Sequence, residues 1–137
     1  MSIIKEVGKP IVYLVTHPHP KWFEQVTFLI SEGVSIVQIR DKSASDDSLS
    51  QDVEAVLDFV ERGGFECTVL LNDRVELARK FNIGVHLGQS DMLPSAARKI
   101  LGVDAPIGWT IHDRIDLIAT QKEHIQYVGV GPVFPTQ

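Results

Sequence analysis

Gln38, Arg40 and Lys42 alternate in the segment QIRDK, where an apolar run gives way to polar residues. If the segment is extended, alternation turns all three side chains to one face. A guanidinium grips an anion through a planar fork, and an ammonium acts on one as a point charge. The run CTVLL at 67–71 ends likewise, in Asn72, Asp73 and Arg74. GVHLGQSD at 84–91 runs into Gln89 and Asp91, IGWTIH at 107–112 ends near Thr110 and His112, and a last apolar run closes in GPVFPT. Taken singly, each is what a strand leaving a core looks like, and Asp73 beside Arg74 reads as a surface ion pair worth little. Recurrence at strand after strand is what suggests a site.

The elements that must carry these residues follow from periodicity. Extended, β-branched or apolar runs fall at 11–16, 34–40, 66–72, 83–89, 106–111 and 127–134. Helical spacing or helix-forming composition falls between them, at 21–33, 46–64, 74–82, 93–102 and 114–124. The clearest helix is 46–64, with Leu49, Val53, Val56, Leu57 and Val60 on one face and glycine at its end. Six strands alternating with five helices predict an α/β fold of parallel strands joined by crossover helices. A doubly wound sheet asks for a glycine-rich phosphate turn after the first strand, and this chain has THPHP there. A TIM-barrel arrangement puts the C-terminal strand ends on one rim, which is where its enzymes place their active sites. The polar exits above would then share that rim.

Length and composition narrow the function classes. The 137 residues make one domain. A net charge of −5 argues against a general nucleic-acid binder. No run reaches the roughly 18 apolar residues of a membrane span, and the opening lacks a signal-peptide layout, so a cytoplasmic protein is expected. Cys67 is the only cysteine, so no internal disulfide can form. His17 and His19 invite a zinc reading, but HPHP lacks a third ligand at usual spacing. His86 reads as a packed, hydrogen-bonded histidine and Trp109 as packing.

In order and spacing, YLVT, VQIRDK, NDR, GVHLGQSD, IGWTIH and YVGVGPVFPT resemble the thiamine-phosphate synthase family, which includes thiazole tautomerases. The resemblance spans nearly the whole chain and implies a (β/α)8 barrel. The implied activity is a transferase joining 4-amino-2-methyl-5-pyrimidinylmethyl diphosphate to a thiazole phosphate, with release of diphosphate and with Mg2+ as cofactor. It further implies that Gln38, Arg40, Lys42, Asn72 and Thr110 hold the pyrimidine diphosphate. Thr136 would meet the thiazole phosphate, and Asp73 and Asp91 would bind the metal. No side chain is assigned as nucleophile, acid or base. Thr110 stands where the family has serine; the hydroxyl survives and a methyl is added.

Six strands are fewer than a closed barrel's eight, so the expectation is a single, incomplete TIM-barrel domain over 1–137, without strands 7 and 8. Its first and sixth strands would be open edges, favouring self-association or completion by a second polypeptide. Two alternatives stand beside the transferase. One is a thiazole tautomerase using His112; the other is an inactive truncated product keeping only pyrimidine-diphosphate and Mg2+ binding.

Overall fold

The computed structural model describes residues 10–135. Among them, strands and helices alternate: β1 Tyr13–Val15, α1 Trp22–Ser31, β2 Ile36–Ile39, α2 Asp46–Gly63, β3 Thr68–Asn72, α3 Val75–Lys80, β4 Gly84–Leu87, α4 Pro94–Leu101, β5 Ile107–Ile111, α5 Ile118–Gln121 and β6 Tyr127–Val130. This is an α/β fold of the TIM-barrel type. The chain divides after Asn72 into two compact units.

In the N-terminal unit β1, β2 and β3 pair in parallel, with Tyr13 opposite Ile36, Val15 opposite Gln38, and Gln38 opposite Leu70. One sheet face therefore carries Leu14, Val37, Ile39, Val69 and Leu71, an apolar set. The other carries Tyr13, Ile36, Gln38, Leu70 and Asn72, where polar groups enter. Helix α2 buries Leu49, Val53 and Val56 of the five-residue stripe that its spacing predicts, and leaves Leu57 and Val60 half-buried. Ser45 caps its start by accepting the Ser48 amide at 3.2 Å, Asp46 and Asp47 sit in its first turn, and Gly64 ends it in the left-handed region at φ 63°. Helix α1 buries Val26 and Ile30.

In the C-terminal unit β4, β5 and β6 pair in parallel, with His86 opposite Gly108 and Gly108 opposite Tyr127. Val85, Leu87, Ile107, Trp109 and Ile111 form its apolar face, all buried. The opposite face reads His86, Gly108, Thr110, Tyr127 and Gly129, so glycines alternate with polar side chains there. Arg98 of α4 fastens the turn after its own helix. Its guanidinium donates to the carbonyls of Gly102, Ala105 and His124 at 2.8, 2.6 and 2.8 Å.

Several elements are shorter than the sequence predicts, β1 at Tyr13–Val15 of an expected 11–16 among them, and two fall furthest short. The helix expected over 114–124 is one α-turn, Ile118–Gln121, between 3-10 turns at Ile115–Leu117 and Lys122–His124. None of the three has a side-chain cap, and the Thr120 hydroxyl bonds back to the Leu117 carbonyl at 2.7 Å, competing with the helical ladder. Strand β6, expected to reach 134, stops at Val130, two residues before Pro132, which has no N–H to give to a ladder.

Candidate ligand-binding site

Strand β2 delivers Gln38 and Arg40 at its C-terminal end. Gln38 is only 4% exposed, and its amide donates to the Tyr13 hydroxyl at 2.7 Å. The backbone just beyond is pinned to β1: Thr16 donates its amide to the Gln38 carbonyl at 2.9 Å, and its hydroxyl accepts the Arg40 amide at 3.0 Å. Arg40 thus leaves a fixed backbone. Arg40 lines a small cleft of about 30 Å3 with Thr16, His17, Pro18, Trp22, Ile39, Asp41 and Asp52. Burial, and secondarily the nearby Asp41, pushes the Asp52 carboxyl above its ordinary range.

Lys42 is exposed on the loop that follows. That loop is ordered by Asp41, whose Oδ1 accepts the Ser43 amide, the Ser43 hydroxyl and the Ala44 amide at 2.9, 2.7 and 3.2 Å. The Ser43 bonds hold the Asp41 carboxyl below its usual range. Among the described residues, neither the Arg40 guanidinium nor the Lys42 ammonium has a hydrogen-bond or ion-pair partner. Asn72 ends β3 on the face that also bears Gln38. In this unit Gln38, Arg40, Lys42 and Asn72 all lie at the C-terminal ends of β2 and β3.

Asp73, Asp91 and Thr110 belong to the C-terminal unit. Asp73 adopts φ 53°, its amide donates to the His86 carbonyl at 3.0 Å, and its Oδ1 lies 3.3 Å from Arg74 Nε. Asp91 folds back on the turn after β4, where its Oδ2 accepts the Gly88 amide at 2.5 Å. A Cβ on Gly88 would stand 2.9 Å from that oxygen, so the turn needs glycine for this contact. Both carboxylates supply hard oxygen donors, the type magnesium takes one or two at a time alongside water and phosphate oxygens. No group of three or more acidic, histidine or cysteine side chains suited to a metal occurs among the described residues. His19 uses Nδ1 to accept the Lys21 amide at 3.1 Å, a local turn contact.

Thr110 is joined to two residues that spacing alone did not mark as partners. His86 lies between hydroxyls, with Nδ1 2.7 Å from Tyr127 Oη and Nε2 2.7 Å from Thr110 Oγ1. The rings of His86 and Tyr127 stack at 5.5 Å. Gly108, between them in the sheet, makes this possible, since a Cβ there would fall 1.9 Å from Tyr127 Cζ. Burial lowers the His86 pKa below its ordinary value, against a smaller opposing pull from Asp91. Parallel register was the signal available: Tyr127 and Thr110 share the parity of His86 across three strands. Thr16 and Tyr13 were likewise missed, because only the β1–β2 register shows that they brace Arg40 and Gln38.

Gln89 ties the ends of β4 and β5, accepting the His112 amide and donating to Asp113, each at 3.0 Å. His112 is exposed and places Nδ1 against the Gly131 carbonyl. Thr136 lies outside the described residues. No helix among the described residues is long and apolar enough to cross a membrane.

Parallel βα units whose strand ends carry polar and charged side chains define a protein of the TIM-barrel type. A family model described as Thiamine monophosphate synthase matches residues 12–137, and the chain belongs to that family. It is 38% identical over 114 residues to a thiamine-phosphate synthase of Azorhizobium caulinodans, covering 82% of this chain and 53% of that one. Against the Methanosarcina barkeri thiamine-phosphate synthase it is 34% identical, covering 98% of this chain and 60% of that one. The chain spans between 35% and 60% of the length of the curated relatives it matches. Among solved structures, a Pyrococcus furiosus thiamine phosphate pyrophosphorylase superposes with TM-score 0.77 at 24% identity, over 92% of this chain and 62% of that one. That likeness shows the fold.

Proposed function

We propose that this chain carries thiamine-phosphate synthase chemistry: transfer of a pyrimidinylmethyl group from its diphosphate to the nitrogen of a thiazole phosphate. The observation that carries the reading is the pair of uncommitted cations, Arg40 and Lys42, leaving β2 beside a buried Gln38. In the reaction the methylene–oxygen bond breaks and its electron pair leaves with diphosphate. The thiazole nitrogen then gives its lone pair to the methylene carbon, so no side chain need act as nucleophile.

Arg40 and Lys42 take the diphosphate oxygens and stabilise the charge that grows on them as the bond breaks. Gln38, Asn72 and Thr110 orient the pyrimidine, and Thr136 meets the thiazole phosphate. Asp73 and Asp91 would hold Mg2+, whose charge, when bound, offsets that of the diphosphate. The count supports a metal: about −3 on the diphosphate ester and −2 on the aspartates outweigh +2 from Arg40 and Lys42. The substrates are small molecules and the reading is of a cytoplasmic enzyme. Val130, Val133 and Phe134, at and beyond the end of β6, are exposed and form apolar surface that further polypeptide would cover.

Calorimetric titration with the pyrimidine diphosphate tests this. Arg40→Gln should weaken binding about 10-fold or more, the scale of one charged hydrogen bond. Omitting Mg2+ should weaken it too, as should Asp73→Asn, which keeps the left-handed backbone that alanine would strain. Equal affinity in all these conditions refutes the assignment.

A further inference from the structure

The neutral imidazole of His86 has one N–H and one lone pair, and each faces a hydroxyl at 2.7 Å. Two arrangements satisfy both contacts. In the first, Tyr127 O–H donates to Nδ1 and Nε2–H donates to Thr110 Oγ1. In the second, every donor and acceptor is reversed. The two differ in what is left for a ligand. The first leaves the Thr110 proton available; the second consumes it.

Acidity selects the first. A phenol, with a pKa of about 10, is a far better donor than an aliphatic alcohol, and the alcohol oxygen is the better acceptor. A phenol-to-imidazole bond also polarises the ring so that its other N–H donates more strongly. The surroundings keep this line in place. Stacking against Tyr127 holds the imidazole plane, and Gly108 leaves room for the phenol. Opposite Thr110 stands Gly129, where an added Cβ would be 3.0 Å from Oγ1, so only a glycine leaves that hydroxyl uncrowded.

We propose that Tyr127, acting through His86, keeps the Thr110 hydroxyl proton available as a hydrogen-bond donor, so that the site favours a ligand presenting an acceptor atom to it. Tyr127 is then a positioning and specificity-determining residue. The site then prefers a lone pair, such as that of an aromatic ring nitrogen, over an N–H or O–H at the same place, which could reach only the second lone pair of Oγ1. This rests on the reading above that Thr110 meets the pyrimidine substrate.

Two measurements test it. Nitrogen-15 spectra at pH 8, with His86 assigned by the signal lost in His86→Gln, should show the ring proton on Nε2. A proton on Nδ1 overturns the proposal. In titrations with the pyrimidine diphosphate, Tyr127→Phe should weaken binding about 3- to 10-fold, the size of one neutral hydrogen bond, and Thr110→Val should do the same. Thr110→Ser should retain affinity, and inorganic diphosphate should bind wild type and Tyr127→Phe equally. If Tyr127 acts through Thr110, the Tyr127→Phe/Thr110→Val double variant is no weaker than Thr110→Val alone. Additive losses overturn the proposal. A chain that binds no pyrimidine diphosphate at all removes the substrate reading; the tautomer then decides alone, Nε2–H upholding the line of bonds and Nδ1–H refuting it.

Discussion

Replacing Arg98 by methionine should cost this protein about 2–4 kcal/mol. The guanidinium donates to four backbone carbonyls and to Gln126 Oε1. These contacts are not equal. The Gly102, Val103 and Gln126 acceptors are at the surface, and water replaces the lost donor there at little cost. The Ala105 and His124 carbonyls are part-buried, at 2.6 and 2.8 Å, and losing a charged donor to each costs about 1–2 kcal/mol after the partial exposure of the site is allowed for. Methionine keeps the stem's packing, so the loss reports the fork. Gln126 Oε1 also accepts the Ile107 amide at 2.6 Å, which makes Arg98 a support for the start of β6 and hence for Tyr127. Urea unfolding followed by Trp109 fluorescence, in a Trp22→Phe background, should move the midpoint down by about 1–2 M. Arg98→Lys should recover less than half, since an ammonium cannot span both carbonyls. A loss below about 1 kcal/mol, or a lysine variant as stable as wild type, would refute the idea that one planar group ties these turns together.

Burial pushes the Cys67 thiol up to about 11 from the ordinary 9.0. At pH 8 its alkylation should therefore be about 100-fold slower in the native chain than in urea, and equal rates would show the thiol is not desolvated. The unfolded chain gives up this proton first, so the thiol's contribution to stability is present below pH 9.0 and is lost as pH rises through about 11. Gly108→Ala should cost about 1–3 kcal/mol by displacing the Tyr127 ring, and His86 Nδ1 should lose its hydroxyl partner in nitrogen-15 spectra. An unshifted His86 signal would mean that Tyr127 reaches it by another path.

Much of the fold was legible because period and punctuation agreed. Helix α2 announces its apolar stripe and its closing glycine in one stretch. The short β1 and β6 were harder: propensity marks apolar runs, whereas pairing decides where a ladder stops, and Pro132 withholds an N–H. The helix over 114–124 was overread because composition does not reveal that its ends go uncapped. At the site, charge and amide side chains at strand exits were readable one strand at a time. Their braces were not, because Thr16 serves Arg40 through a backbone bond, and Tyr127 meets Thr110 only through a histidine two strands away. Such relations live in register, which no single strand encodes.

Asp73 combines a left-handed backbone with a carboxylate. Few amino acids tolerate that twist, chiefly glycine, asparagine and aspartate, and only one of the three is an anion. The geometry of the chain therefore shortens the alphabet at this position before any ligand exerts its preference. A saturation library at position 73 sorted for folding alone should return those three letters, and a second sort for metal-dependent binding should leave one.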